Sequence, residues 1–328
     1  MASNLIAGVA PVTRRVRAYF APVDRAAGQS TIFDASGIAG FNVNTPPAPW
    51  VDLGWCTSFM RKSGTKHEAL HTGAPGIAVG QVRSEVEAHV SLEFESWGKL
   101  QLSLSAGVQQ MNVLRVQPGA AANGSGGAAI AAVPLVAGST ATSATALDVG
   151  AASAVSFAVG DVVAVDVDYV AQTGYVGSGV SGGYVKSAAL VSSDANYIRR
   201  ITLNVARVTA IVGGVLTLGS ALIAGPPTAA MKVSRVVGFC DREGGSYFQE
   251  WSALFILEGA QGDIVAFHYP RLQAMSGPAE TRDGLAGTGE LARLRLAASF
   301  RALPVKDASD GEMVVCFRSY LPGTMRTV

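Results

Sequence analysis

The chain has 328 residues, of which 15% are charged and 49% hydrophobic, and its formal net charge is +1. A net charge this close to zero excludes the global basic field that drives non-specific binding to nucleic acids. Roughly a quarter of the residues of an ordinary soluble protein are charged, so the low content here indicates that partners cover part of the surface. The length allows two domains of ~100–200 residues each.

The N-terminal segment and the cysteines favour a reducing compartment without membrane insertion. Met1–Arg17 lacks the basic-then-apolar order of a secretory signal. The uncharged run Val208–Met231 contains Gly213-Gly214 and Pro226-Pro227, so it predicts a hairpin followed by a loop rather than a membrane span. The three cysteines are far apart and form no CxxC pair, which predicts neither a disulfide framework nor a zinc site: Cys56, Cys240 and Cys316.

A metal-site motif occurs at His67-Glu68-Ala69-Leu70-His71, which matches the HExxH pattern of zinc proteases. That chemistry needs a helix that places both histidines on one face, and a third ligand downstream. The flanking Ser63-Gly64 and Gly73 leave room for only about two helical turns. The extended motif would need Gly and His where Ala74 and Ile77 stand. The segment is therefore predicted to be a short polar loop or turn, and no metal site is expected.

The clearest alternation of apolar and polar residues runs from Arg83 to Trp97 and predicts a long β-strand. At ~3.4 Å per residue this strand would be roughly 50 Å long, well beyond the usual five or six residues. A strand this long with one wet face belongs to a large antiparallel sheet or barrel. Its predicted apolar face consists of Val86, Ala88, Val90, Leu92 and Phe94.

The opposite face of that strand is acidic. Its candidate site residues are Glu85, Glu87, His89, Glu93 and Glu95. Even spacing aligns these side chains on one side of the sheet. The face is either a solvated outer surface or, in a ring of subunits, a lumen wall whose repeated charge repels DNA at low salt.

After the long strand, the sequence predicts a helix, a flexible linker and then short strands. Trp97–Val113 is the best helix candidate, with Gly107 as an interruption. Gln117–Gly127 reads as a flexible linker, and the Val/Ala/Gly/Ser-rich region after it contains short predicted strands. Gly177–Gly182 matches GxGxxG, but no helix starts inside the motif, so a flexible Gly/Ser loop is predicted rather than a dinucleotide site.

The predicted strands define a mainly β chain with two domains. The main domain is discontinuous and covers residues 1–117 and 233–328. A Gly/Ala/Ser linker covers 118–127, and a small β-barrel-like domain is inserted at 128–232. Gly213-Gly214 is predicted to form a two-residue hairpin turn. The other predicted strands are Asp161–Tyr169, Ile201–Val212, Trp251–Leu257, Asp263–Tyr269, Ala292–Leu303 and Met313–Tyr320.

Segments on both sides of the middle region resemble those of bacteriophage major tail (tail-tube) proteins. The first follows the Pro-rich loop Thr45–Pro49, and the last belongs to the C-terminal block. The segments are Trp50–Trp55, Gly80–Gln101, Asp241–Trp251 and Phe267–Leu272. None of them is a catalytic signature.

The resemblance implies a tail-tube-like β-sandwich or barrel with a flanking short helix. It also implies hexameric rings that stack into a hollow conduit for DNA ejection, with the acidic strand facing the lumen. The partners would be further copies of the chain, other tail proteins, and the tape-measure protein and DNA, which would occupy the lumen without specific binding. The protein would be assembled in the host cytoplasm and located in the virion tail. Candidate residues of an inter-ring or inter-subunit loop are Pro46, Pro47, Trp50, Asp52 and Trp55.

Three alternatives remain open from the sequence. The chain could be another self-assembling virion β protein of the decoration or fibre type. It could be a zinc metalloenzyme built on His67 and His71, or a β-sandwich that binds a small ligand or a sugar. We expect no enzyme activity, no cofactor and no membrane partner.

Overall fold

The chain is mainly β, as predicted. The computed structural model describes residues 15–23, 30–47, 49–107, 110–115, 130–167, 204–222, 225–241, 249–259, 262–275, 279–284 and 292–321. The predicted linker Gln117–Gly127 and the motif Gly177–Gly182 lie outside the described residues. The elements in chain order are β1 (Val16–Pro22), a 3-10 helix (Ala35–Gly40), β2 (Val51–Thr72), β3 (Ile77–Phe94), α1 (Lys99–Ala106), β4 (Gln110–Leu114), β5 (Val133–Pro134), β6 (Ala146–Asp148), α2 (Ala151–Ala154), β7 (Val162–Val167), β8 (Val205–Val212), β9 (Val215–Leu218), β10 (Met231–Asp241), β11 (Trp251–Glu258), β12 (Ile264–Ala274), β13 (Ala279–Gly284), β14 (Ala292–Ala302), β15 (Val305–Lys306), β16 (Met313–Val314) and β17 (Phe317–Leu321).

The chain divides into two compact units. The first unit contains Met1–Ala21, Ser30–Gly107 and Glu250–Val328, and the second contains Pro22–Gln29 and Val108–Gln249. No helix among the described residues is long and apolar enough to cross a membrane.

The first unit is built on a β-barrel. Its sheet has the strand order β13-β14-β3-β2-β1-β11-β12-β17, and an additional pairing of β12 with β14 joins six of these strands into a closed ring. The second half of β12 pairs with β14 from Leu272 to Ala274, whereas its first half pairs with β17 from Ile264 to His268. The short strands β13 and β17 therefore flank the place where the ring closes.

The barrel is filled by aromatic side chains. The ring of Phe20 lies 6.5 Å from Trp251, 5.9 Å from Phe255 and 5.6 Å from Phe300, measured between ring centroids. All four residues are buried. Aromatic pairs at these distances stabilise a core beyond the area that they bury.

A segment that we call the strap, residues 30–47 and 49–50, covers part of the outside of the barrel. Its Phe41 and Trp50 pack with Tyr19, Leu254 and Ile256 from β1 and β11. Both faces of β1 and β11 are therefore buried, one in the barrel and one under the strap. This explains why β11 reads WSALFILE, an almost continuous apolar run instead of an alternating one.

The helix predicted over Trp97–Val113 is correct only in its first half. Helix α1 spans Lys99–Ala106 and ends at Gly107, which adopts a left-handed conformation with φ of 63°. A Cβ atom at Gly107 would lie 2.6 Å from the Cβ of Ala274, so the close approach also requires glycine. The second half of the predicted helix is wrong, because β4 follows.

The second unit has a core of its own. Its sheet has the order β4-β10-β7-β8-β9-β6, with β5 also paired to β10. The predicted turn at Gly213-Gly214 joins β8 to β9, with positive φ values of 61° and 96° that glycine supplies at no steric cost. The predicted inserted domain, 128–232, falls within this unit, which also includes β4 paired with β10. The buried core consists of Leu135, Leu147, Val149, Ala154, Phe157, Val163, Val165, Ala206, Val208, Leu216, Leu218, Leu222 and Val233.

Candidate assembly surface

Strands β2 and β3 form a hairpin that extends beyond the barrel. They pair with each other from Cys56 and Phe94 to Thr72 and Ile77. Strand β1 pairs with β2 only over Val51–Cys56, and β14 pairs with β3 only over His89–Phe94. We call residues 58–88 the arm. It is a two-stranded ribbon, and neither outer edge pairs with any other strand that the structure describes.

The arm is exposed to solvent on both faces. Every residue from Lys66 to Glu87 is exposed. Five aliphatic side chains in this stretch are exposed, namely Leu70 (51%), Ile77 (66%), Val79 (64%), Val82 (43%) and Val86 (45%). An isolated two-stranded hairpin is at best marginally stable in water, and a long open strand edge invites pairing with another chain. Both properties favour an arm that is covered by a partner.

The HExxH segment lies in β2, and the prediction of a short loop or turn was wrong. In a strand His67 and His71 lie on the same face but about 14 Å apart, because each residue advances the chain by about 3.4 Å. Histidines at that separation cannot bind one metal ion together, as they do on a helix. Within the described parts of the chain, no group of three or more His, Cys, Asp or Glu side chains could hold a metal ion.

The inward face of β3 agrees with the sequence pattern within the barrel. Ala88, Val90, Leu92 and Phe94 are buried, whereas Val86 already belongs to the exposed arm. Burial of this face therefore ends where the barrel ends, while the alternation in sequence continues into the exposed arm.

The acidic face of β3, together with Glu95 just past the end of the strand, is electrically balanced by cations of the same chain. Glu85 forms an ion pair with Lys66. The Nη1 atoms of Arg295 and Arg15 lie 3.1 Å and 3.8 Å from Oε2 of Glu93 and Glu95, respectively. His89 Nε2 lies 3.6 Å from Oε2 of Glu87. Two more cations, Lys62 and Arg301, stand directly opposite His89 on the neighbouring strands. The sequence did not reveal these partners, because they lie on other strands.

The predicted inter-ring loop residues occupy the strap and the start of β2. Pro46 and Pro47 belong to the strap, where Pro47 is exposed and its carbonyl accepts a hydrogen bond from the Trp50 N–H at 3.0 Å. Trp50 is buried against the barrel, and Asp52 and Trp55 belong to β2.

Arg17 holds the strap to these residues. Its guanidinium donates two hydrogen bonds to Asp52, at 3.2 Å and 2.5 Å, and one of 2.8 Å to the side-chain oxygen of Asn44. It also lies 5.2 Å from the ring centroid of Trp55. The hydrogen bonds to Asp52 raise the pKa of Arg17 above its ordinary value. Asp52 and Trp55 therefore make intramolecular contacts that the sequence did not predict.

His268 is a second anchor for the strap. Its Nδ1 lies 3.2 Å from the carbonyl oxygen of Ala253, and its Nε2 accepts a hydrogen bond from the Phe33 N–H at 3.3 Å. Because Nε2 is an acceptor, the ring is neutral and Nδ1 donates. Burial lowers the pKa of His268 to about 4, which agrees with the neutral form. The ring also stacks on Phe317 at 5.9 Å.

An ion pair between a buried carboxylate and a partly exposed arginine lies at the start of β11. Glu250 is almost completely buried. It accepts hydrogen bonds of 3.1 Å from both Nε and Nη2 of Arg271 and one of 2.8 Å from the amide of Gln273. This fork geometry satisfies a buried carboxylate and fixes its orientation.

No protein-family model matches this sequence, and no curated protein matches it.

Proposed function

We propose that this chain is a structural subunit of a phage tail tube that assembles with copies of itself into stacked rings around a conduit for DNA. The observation that carries the proposal is the arm, whose residues 66–87 are exposed on both faces. A monomer gains little from holding such a ribbon in water. An assembly that covers the arm in every copy gains both strand pairing and apolar burial.

The strand order offers a simple way to close a ring. The run β13-β14-β3-β2 is antiparallel throughout and ends at β13 on one side. On the other side it ends at β2, whose outer edge beyond Cys56 pairs with no described strand. Placing β2 of one copy beside β13 of the next continues the antiparallel order. Contact between two different edges is heterologous, and it generates a ring where the rotation closes.

The charged face of this sheet suits a passage through which DNA moves. A wall of paired Glu and Lys or Arg residues carries little net field, so it neither binds a phosphate backbone nor repels it strongly. The face of Glu85, Glu87, His89, Glu93 and Glu95 is thus a lumen lining that works by charge balance rather than by the repulsion that the sequence alone suggested. Such a surface suits the proposed contents of the lumen, DNA and a tape-measure protein, because neither needs to be bound specifically.

Sedimentation velocity of the purified chain across a wide concentration range tests the proposal. The matched variant replaces residues 66–87 with a short Asn-Gly turn, which removes only exposed residues. We expect the native chain to form large oligomers and the variant to stay monomeric with an unchanged thermal midpoint. A native chain that is monomeric at every concentration, or a variant that assembles equally well, would contradict the proposal.

A further inference from the structure

Beyond Met60, the arm contains two register irregularities. One leaves Val79 as an extra residue of β3, because Leu70 pairs with Gly80 and His71 pairs with Ala78; the other divides the arm into two parts. Lys66 pairs with Glu85 and His67 pairs with Arg83, so β3 has one extra residue, Ser84, at this point. Strand β2 has no extra residue between Met60 and Thr72, and its side chains alternate without interruption. We call residues 67–84 the tip of the arm and the remaining residues of the arm its base.

The apolar residues change face at this bulge. In the base, Val86 and Ala88 lie opposite Thr65 and Ser63, on the face that continues the inside of the barrel. Lys66 and Glu85 lie on the other, charged face. Residues directly opposite each other in an antiparallel pair share a face, so the pairings of the tip place Leu70, Ile77 and Val82 on the continuation of the charged face. The inner face of the tip instead has His67, His71 and Arg83.

Leu70, Ile77 and Val82 form one contiguous group, which we call the tip patch. Leu70 lies opposite Gly80, Val82 opposite Glu68, and Ile77 opposite Thr72. Leu70 is therefore a diagonal neighbour of both Val82 and Ile77, and diagonal neighbours on a sheet are about 7–8 Å apart, within reach of aliphatic side chains. The opposing Gly80 has open space around it and leaves Leu70 uncovered.

We propose that the tip patch docks on a second copy of this chain, in the next ring of the stack, as a contact separate from the edge pairing within a ring. This inference rests on the proposed function. On the face of the arm that carries the tip patch, the base has charge-paired residues and the tip has aliphatic residues. The base therefore suits an aqueous lumen, and the tip suits contact with another protein surface. The bulge at Ser84 places Val82 on this face, and the second bulge, at Val79, keeps Ile77 there. Leu70 lies on it through the uninterrupted alternation of β2.

The size of the patch favours a second copy over an unrelated protein. One face of the tip is six residue pairs long and two strands wide, roughly 20 Å by 10 Å. That is about 200 Å², well short of the roughly 800 Å² per partner that a stable independent complex buries. A small patch adds measurably to the affinity between two molecules when other contacts already hold them at a high effective concentration. Copies of this chain in a stack of rings meet this condition.

The matched pair Val82→Ser and Val86→Ser tests the inference. The two valines lie on the same strand with nearly equal exposure, 43% and 45%, but on opposite faces. Leu70→Ser is a second variant on the patch. Negative-stain microscopy counts single rings and stacks, and sedimentation measures the protein concentration at which stacks form. Because all three residues are exposed, none of the substitutions should alter the fold.

We expect Val82→Ser and Leu70→Ser to raise the stacking concentration at least about tenfold, the effect of losing one buried aliphatic contact, while rings still form. Val86→Ser should stack like the native chain. Native-like stacking of both patch variants would overturn the inference and leave the proposed function intact, and so would an equal defect in Val86→Ser. A native chain that forms neither rings nor stacks would overturn the proposed function itself, and this inference with it.

Discussion

The same two strands behave differently in two regions of the first unit. Within the barrel, β3 buries Ala88, Val90, Leu92 and Phe94 on one face and is paired on both edges. In the arm, the same strand is exposed from Ile77 to Glu87 and has one open edge. Stability of the monomer is concentrated in the barrel, and in the proposed assembly the contacts with other copies are concentrated in the arm. Substitutions in the barrel should therefore change the free energy of unfolding, and substitutions in the arm should change assembly.

All four tryptophans belong to the first unit: Trp50, Trp55, Trp97 and Trp251. Urea unfolding followed by tryptophan fluorescence therefore reports on the unit that contains both regions. Each prediction below compares a barrel substitution with a matched one in the arm.

The largest effect is expected from Phe20→Ala. Its ring contacts three other aromatic rings inside the barrel, so truncation leaves a cavity and should lower the free energy of unfolding by about 3–5 kcal/mol. The matched arm variant Ile77→Ala should change it by less than about 0.5 kcal/mol. Similar losses in both variants would show that the arm is part of the folded core.

Arg271→Ala should remove the two hydrogen bonds that the buried Glu250 accepts from the guanidinium. We expect a loss of about 2–3 kcal/mol, since a buried carboxylate that loses its ion-pair partner retains its desolvation cost. Lys66→Ala removes an exposed ion pair with Glu85 and should leave the unfolding curve unchanged. An Arg271→Ala curve that overlays the native one would contradict this account of the buried pair.

Stability should depend on pH through His268. Its pKa is about 4 in the folded protein and 6.5 in the unfolded chain, so the unfolded state takes up the proton first as the pH falls. The free energy of unfolding should decrease from pH 6.5 to pH 4 by up to about 3 kcal/mol and then level off with respect to this group. His268→Gln should flatten this part of the profile, and His67→Gln in the arm should not. A profile that keeps its slope in His268→Gln would assign the effect to other groups.

The smallest barrel effect concerns Gly107→Ala. The new methyl group would approach Ala274 and would be attached to a residue with positive φ, so we expect a loss of about 2 kcal/mol. The control, Gly80→Ala in the arm, meets no atom within 4 Å and should be nearly neutral. Equal stability of the two variants would show that the end of α1 adapts without cost.

The sequence predicted strands where burial imposes a pattern and failed where it does not. Strand β3 alternates because the barrel buries one face, and the Gly213-Gly214 turn follows from local backbone requirements. The distal half of β2 was read as a polar loop at His67–His71, because a strand exposed on both faces has no alternation to detect. The helix was extended past Gly107 because Val108 and Met111 also fit helical spacing.

Only part of the candidate site could be predicted, because the sequence does not show which strands pair. The glutamates of β3 were identified by their spacing, but Arg15, Lys66 and Arg295, which balance them, come from distant parts of the chain. The change of face at Ser84 depends on the pairing with β2 and cannot be read from one strand. Likewise, Arg17 gives Asp52 and Trp55 a role in holding the strap that their local sequence does not indicate.

Negative-stain electron microscopy of the purified native chain would show whether it assembles into rings and tubes. We expect rings at moderate concentration and hollow tubes at high concentration, with a lumen wide enough for duplex DNA. Solid fibres or sheets would instead favour another kind of self-assembling virion β protein. Dispersed single particles at every concentration would contradict the claim that the arm is an assembly surface.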